Sequence, residues 1–486
     1  MRAAGFCRLL TVVSAIMTIA LPTLSYADTL KSRVTEMKLD NGMEIVVIPD
    51  TRAPVVTHMV WYRAGAADET PGVSGIAHFL EHLMFKTTEK IPSGEFPKIV
   101  ARLGGQDNAF TTQDATAYFQ RVSKENLPRM MELEAERMVN LKLAEGEVLT
   151  ERDVILEERR SRVDNDPRSM LDEEMDAALY RNHPYGTPVI GWEREIARLS
   201  REDAVAFYKR FYAPNNAILV VAGDVTPEQV KTMAEATYGK IPTNPAVGAE
   251  RVRPQEPEFS VARRLSYEDP RAGQPTFYRY YLAPSFKTAP AGDAEALDIL
   301  VKILAEGATS QLYKALVVEG RMAASASGGY YGGGYDSGKI VLQAVAAPGH
   351  DLAAIEKRLD EVIADVKANG VTEAALKRAK ASYVADFIYE SDNQSTLARR
   401  YGWARAIGQS IADIDALPDR IRKVSLDDVK RVANTYFDIR KSVTGTLVPS
   451  AEVAAGGVTA QRPAGSLGPN GAAPASPHPA AAQPRH

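Results

Sequence analysis

The sequence predicts an α+β protein built from two homologous halves, each an antiparallel sheet packed with helices. Three observations carry this: a segment that recurs at a fixed offset, a proline-rich break between the copies, and strands and helices that do not alternate as βαβ units. One copy of the segment runs from Leu199-Ser200-Arg201-Glu202-Asp203 through a helical pattern to Phe211-Tyr212 and the strand Ala217–Val221. The other runs from Val424-Ser425-Leu426-Asp427-Asp428 to Tyr436-Phe437 and Ser442–Thr446, at an offset of 225 residues (425 − 200) with no gap. Each copy opens a helix with a serine N-cap and a nearby acidic residue, closes it on an aromatic pair and enters a strand. Pro242, Pro245, Pro254 and Pro257 mark the break, because proline removes a backbone donor and disfavours helix before it. The expected division is residues 28–241 as the first domain, 242–262 as a linker and 263–450 as the second domain.

Along the first half, Met37 to Val47 reads as a hairpin whose turn, Asn41-Gly42, supplies positive φ angles. Val55 to Tyr62 reads as a further strand. Helical periodicity follows at His78 to Phe85, Asn126 to Asn140, Glu147 to Val163 and Arg168 to Tyr180. In the second half Ala294 to Ala305, Gln311 to Glu319, Leu352 to Ala368 and Glu373 to Tyr389 read as helices, with strands at Thr276 to Tyr281 and Lys339 to Val345.

Both ends fall outside this pattern. Arg2 and Arg8 precede an apolar run from Leu9 to Leu24, and Ser25-Tyr26-Ala27 sets small residues before a cut at Asp28. Residues 1–27 therefore read as a secretory signal peptide. The run is too short, and too interrupted by Pro22, for a membrane span in the mature chain. Cys7 is the single cysteine and precedes the cut, so the mature chain forms no disulfide. An exported chain without cross-links suits a large periplasmic protein. Residues 451–486 are dominated by Ala, Gly and Pro and read as a disordered tail. With a formal net charge of −4 and a pI near 6.1, the chain has no basic excess to neutralise phosphates, which argues against a nucleic-acid partner.

The chemistry concentrates in His78-Phe79-Leu80-Glu81-His82. Histidines at i and i+4 share a helix face, so both imidazoles reach one ion. Glu81 projects from that face and can touch a water at the ion without ligating it. The bland alternative is a solvated helix that carries two histidines and a glutamate. A zinc site also needs a third protein ligand. Glu151 and Glu158 lie two turns apart on one face of a helix, with Glu157 about 100° away. Such a pair suits one ligand and one group that orients the site.

These residues resemble the pitrilysin/insulinase family of zinc peptidases, whose His-x-x-Glu-His inverts the commoner zincin order. The family completes its motif with a distant glutamate, and here 75 residues separate His82 from Glu158. Further similar segments are Glu151 to Glu158, Gly104-Gly105-Gln106-Asp107-Asn108-Ala109-Phe110-Thr111, His183-Pro184-Tyr185-Gly186 and Tyr212-Ala213-Pro214-Asn215-Asn216. The resemblance implies two α/β-roll domains forming half of a clam-shell, one zinc ion per chain, and cleavage of extended or unfolded peptides. It implies His78, His82 and Glu158 as ligands, Glu81 as the base, and Glu151 as the second acidic group. Asn108 and Ala109 are implied on the strand that takes up the peptide by main-chain pairing. His183 belongs to a structural loop in the family.

The chain departs from the family in one respect. Active members hold the substrate carbonyl with an Arg and a Tyr from a carboxy-terminal domain. The matching segment, Ser310 to Gly320 and onward, carries Val317 and Ala324 there; Arg321 and Tyr330 are near but off register. The family's two-subunit branch divides these roles, which implies a heterodimer with a homologous, metal-free partner that supplies the pair. The competing class is a non-catalytic scaffold subunit, a role for which relatives have lost the metal residues that this chain keeps.

Overall fold

The computed structural model describes residues 34–247 and 251–450. The expected signal peptide, Cys7 and the tail lie outside the described residues. Within them no helix is long and apolar enough to cross a membrane.

The first sheet contains β1 (Thr35–Lys38), β2 (Glu44–Pro49), β3 (Val55–Tyr62), β4 (Gln106–Thr111), β5 (Thr116–Ser123) and β6 (Ala217–Gly223) in the order β1-β2-β6-β3-β5-β4. The second contains β7 (Arg263–Glu268), β8 (Thr276–Ala283), β9 (Ala323–Tyr331), β10 (Gly338–Ala346) and β11 (Ser442–Val448) in the order β7-β11-β8-β10-β9. Removal of β1 makes the two orders equivalent strand for strand. Neither sheet is purely antiparallel, a correction to the expectation from sequence. β2 runs parallel to β6 and β7 parallel to β11, because the last strand of each half returns over a helix to lie beside the first. The hairpin turn differs too. Gly42 has φ +91° while Asn41 stays out of the left-handed region, and Gly42 N donates to Leu39 O at 2.9 Å. This is a three-residue loop ending in a left-handed glycine. It frees Asn41 to turn inward and donate to the carbonyls of Tyr238 and Ile241 at 2.7 and 2.9 Å.

The helices used below are α1 (Ile76–Leu83), α2 (Leu127–Val139), α3 (Glu145–Arg159), α4 (Pro167–Leu179), α5 (Arg201–Phe211), α6 (Asp293–Ala305), α7 (Leu352–Asn369), α8 (Glu373–Glu390), α9 (Gln394–Ala406) and α10 (Leu426–Tyr436). α5 and α10 both start in a capping box: Ser200 N donates to Asp203 at 2.9 Å and Ser425 N donates to Asp428 at 3.0 Å. One face of each sheet packs on helices of its own half, giving two main apolar cores.

The opposite faces are covered by exchange. α9, from the second half, lies on β2, β3 and β6 and packs Leu397, Ala398 and Tyr401 against Trp61 and Ile218. α4, from the first half, lies on β11, where Leu171, Met175 and Leu179 meet Tyr278, Tyr280 and Val443. β6 is accordingly buried along its whole length, which explains its unbroken apolar run. β10 alternates buried and half-buried.

Residues 251–262 carry no helix or strand, yet they are held firmly. Arg253 pairs with Asp68, Asp114 and Asp336 at 3.0, 2.6 and 3.2 Å, all four side chains being buried. His183, in its loop, accepts from Tyr185 N at 3.1 Å and faces Asp336 at 3.1 Å, a structural placement.

Candidate metal centre

α1 begins at Gly75, which adopts φ +87° and crosses Gly191 so closely that a Cβ on either would overlap the other loop's backbone. Glu69 caps the helix, accepting from Gly75 N and Ala77 N, both at 2.9 Å. Burial still pushes its carboxyl up to about 8. This start aims His78, Glu81 and His82 at α3, on which α1 packs.

The three expected ligands converge. His78, His82 and Glu158 offer ligand atoms that all lie within 4.8 Å of one another, and no other such group of three occurs among the described residues. His82 Nε2 lies 3.4 Å from Glu158 Oε2, and His78 Nε2 lies 3.9 Å from Glu158 Oε1. Two imidazoles and one carboxylate form a donor set that suits zinc and leaves a fourth position open. Burial, then the neighbouring His82, lowers the His78 pKa well below its ordinary value, so the ring is neutral, as a ligand must be. Burial also opposes charge on His82, but the Glu151 hydrogen bond and nearby carboxylates outweigh it and raise its pKa.

Glu151 lies where a group that orients His82 would stand. Its Oε1 lies 2.9 Å from His82 Nδ1, and its Oε2 lies 2.5 Å from Lys86 Nζ. A proton on Nδ1 donated to Glu151 leaves the Nε2 lone pair for the ion. Glu81 is buried, and burial pushes its carboxyl up to about 7. Thr111 Oγ1 donates to Glu81 Oε2 at 2.6 Å. Thr111 lies inside a segment noticed in the sequence, but its tie to Glu81 is set by the packing of β4 on α1 and has no signal in local spacing.

Arg162 also enters the site unannounced. It lies in a π-helical turn, Arg160–Asp164, and meets Glu158 Oε1 at 2.6 Å. The adjacent Arg159 is buried, and binds Glu173 on α4 at 2.7 and 2.9 Å and Gly191 O at 2.8 Å. Arg159 thereby ties the Glu158 helix to the loop beneath α1.

Asn108 and Ala109 lie on β4, at the end of the first sheet. Asn108 Oδ1 accepts from Ala109 N at 2.8 Å. The carbonyl-clamp candidates do not form a clamp. Val317 packs against the second core, Ala324 has no donor in its side chain, and Tyr330 is buried and donates to Pro284 O at 2.5 Å. Arg321 is exposed in a left-handed conformation, φ +49°. The corresponding helix pair of the second half, α6 and α8, holds Lys302 between Glu306 and Asp386 at 3.3 and 3.2 Å. A cavity of ≈ 1090 Å³, lined by Asp68, Glu69, Arg251 and Arg253 among others, contains none of the candidate ligands; it lies along the linker, where Arg251 and Arg253 both pair with Asp68.

Comparison with known proteins agrees with this architecture. The description "Insulinase (Peptidase family M16)" matches residues 44–193, and "Peptidase M16 inactive domain" matches residues 198–383. The zinc protease PqqE of Helicobacter pylori is 33% identical over 441 residues, 90% of this chain and 98% of that protein. The crystal structure of a protease from Helicobacter pylori superposes with a TM-score of 0.79 at 32% identity, covering 86% of this chain and 99% of that one. The first half of the periplasmic protease PqqL from Escherichia coli shares the fold, with a TM-score of 0.74 at 20% identity over 87% of this chain and 93% of that one. Against the whole of PqqL the match covers 48% of that chain. The chain belongs to the insulinase family, peptidase family M16, and its relative PqqE is named a zinc protease.

Proposed function

We propose that this chain is the catalytic subunit of a periplasmic zinc endopeptidase that cuts peptides or unfolded polypeptides, its carbonyl clamp supplied by a homologous, metal-free partner. The observation that carries the reading is the convergence of His78, His82 and Glu158 beside a buried Glu81; a scaffold has no use for such a set. When bound, zinc would supply the Lewis acid that polarises both a water and the scissile carbonyl. His78 and His82 would hold it through Nε2, and Glu158 through a carboxylate oxygen. Glu81, pushed up to about 7 by burial, is matched to accept a proton near neutrality and return it to the leaving amine. The edge strand β4, with Asn108 and Ala109, would take the peptide as an added strand, which makes recognition largely indifferent to side chains.

The need for a partner lies in what the second half lacks. With Val317 and Ala324 in the clamp positions and Tyr330 committed to Pro284, this chain offers no clamp from its second half. Loss of one such donor raises the barrier by about 2.7–4 kcal/mol. That this chain matches about half of the single-chain PqqL supports a complement of similar size. Residues 28–241 would form the zinc-binding domain and 263–450 its homologue, joined by 242–262, and the leader at 1–27 supports a periplasmic location.

The test is zinc content of the wild type against His78→Ala, with peptide cleavage measured alone and with a homologous metal-free subunit. Loss of zinc in the variant, and cleavage only with the subunit present, is the expected result. Unchanged metal content would overturn the site; full activity of a proven monomer would overturn the partner.

A further inference from the structure

The position that makes Glu81 a base also makes it a competitor. It lies one helical turn after His78 and directly before His82, and carboxylate oxygen is itself a common zinc ligand. Were Glu81 to ligate, the position needed by water would be filled. We propose that Thr111 is a positioning residue that holds Glu81 off the metal, through the hydrogen bond from its hydroxyl to Glu81 Oε2. The inference rests on the zinc reading of the site.

Three observations support it. The bond is 2.6 Å long, at the short end for a hydroxyl–oxygen pair. Glu81 is also much the nearer of the two acceptors open to the Thr111 proton. Thr116, opposite Thr111 on β5, gives its own proton to Ala64 O at 3.0 Å and could accept from Thr111 only across 3.4 Å. The single Thr111 proton is therefore directed to Glu81. Finally, Glu81 is 8% exposed, so water has little access to replace that donor if it is lost.

Thr111 is the last residue of β4, the same edge strand that would receive a peptide. The group that sets the base and the strand that sets the substrate are therefore one rigid element, held in register with β5 from Gln106 to Thr111. That arrangement places base and scissile bond in a common frame. The simpler alternative is that Thr111 merely satisfies a buried carboxylate. The two differ in what happens to the metal when the hydroxyl is removed.

Zinc affinity of the whole purified chain, measured by competition with a chromophoric chelator, separates them. In Thr111→Val, and in the smaller Thr111→Ala should the first fold poorly, Glu81 is released to ligate, and zinc binds about tenfold more tightly, in the range by which groups outside the ligand set move metal affinity. Thr111→Ser keeps the donor and keeps wild-type affinity. In a Glu81→Gln background the Thr111→Val change has no effect on affinity. Unchanged or weaker zinc binding in both hydroxyl-free variants, or tightening that persists without Glu81, would overturn the proposal. If wild type and His78→Ala bind zinc equally, the metal centre itself is misassigned and this inference falls with it.

Discussion

Glu151 and Asp298 show how burial is used in opposite ways within one chain. Burial alone would raise Glu151, but His82 and Lys86 outweigh it and lower its pKa, keeping it an acceptor for His82. Asp298, at the corresponding depth of the second half, is fully buried among Glu306, Lys302 and Glu295, and burial pushes it up to about 7 from 3.8. The unfolded chain loses this proton near pH 4 and the folded chain near pH 7. Between these values the folded state binds more protons, so stability falls as pH rises. Asp298→Asn, which keeps an acceptor for Tyr383, removes that slope. Its Tm is expected to exceed that of the wild type at pH 8, with the advantage shrinking toward pH 4; an equal difference at both would show the carboxyl ionised in the fold. At this scale the candidate residues were legible in the sequence, because His78 to His82 and Glu151 to Glu158 are spacings within single helices; the choice of Glu158 as third ligand came from the family resemblance. Thr111 and Arg159 were not, since each acts across a contact that tertiary packing creates.

Elements were legible where composition or a cap marks them. Strand β6 announces itself by an unbroken apolar run, and α5 and α10 by their capping boxes. α9 does not, because it carries Arg399, Arg400, Arg405 and Gly402 on a helix largely buried against a sheet from the other half. Its burial depends on particular partners: Arg399 lies over the rings of Phe110 and Phe119, and Arg400 pairs with Glu390 at 2.8 Å. Gly402 is the point of closest approach, where a Cβ would overlap the Trp61 indole. Alanine ordinarily strengthens a helix by about 1 kcal/mol over glycine. Here overpacking costs about 1–3 kcal/mol, so Gly402→Ala is expected to unfold at lower denaturant. Gly445→Ala, whose Cβ would meet the flexible Met175 on α4, should lose less. The reverse order in urea titrations would remove the case for α9 as a tightly seated helix.

Across the whole molecule, the proline-rich break was visible in the sequence but its role was not. Prolines indicate the absence of a regular element; they say nothing of Arg253 reaching three aspartates drawn from both halves. Removal of one partner from a buried ionic cluster leaves the others unpaired, at a cost of about 3–5 kcal/mol. Arg253→Met is expected to lose stability on that scale in equilibrium unfolding. A loss below about 1 kcal/mol would place the cluster with ordinary surface pairs. The parallel pairs β2–β6 and β7–β11 were equally hidden, because they join strands far apart in sequence.

The exchange of α4 and α9 has a bearing on how the chain reaches this state. Neither sheet can cover its second face until the other half has been made, so the earlier half emerges with Trp61, Ile218 and their neighbours bare. Contacts between Trp61 and Gly402 close a loop spanning most of the protein, and such closures are slow. Were the chain exported unfolded, as the proposed leader implies, that search would wait until both halves share one compartment. With α4 and α9 exchanged, the two halves are expected to commit together, as one cooperative unit rather than two beads on a string.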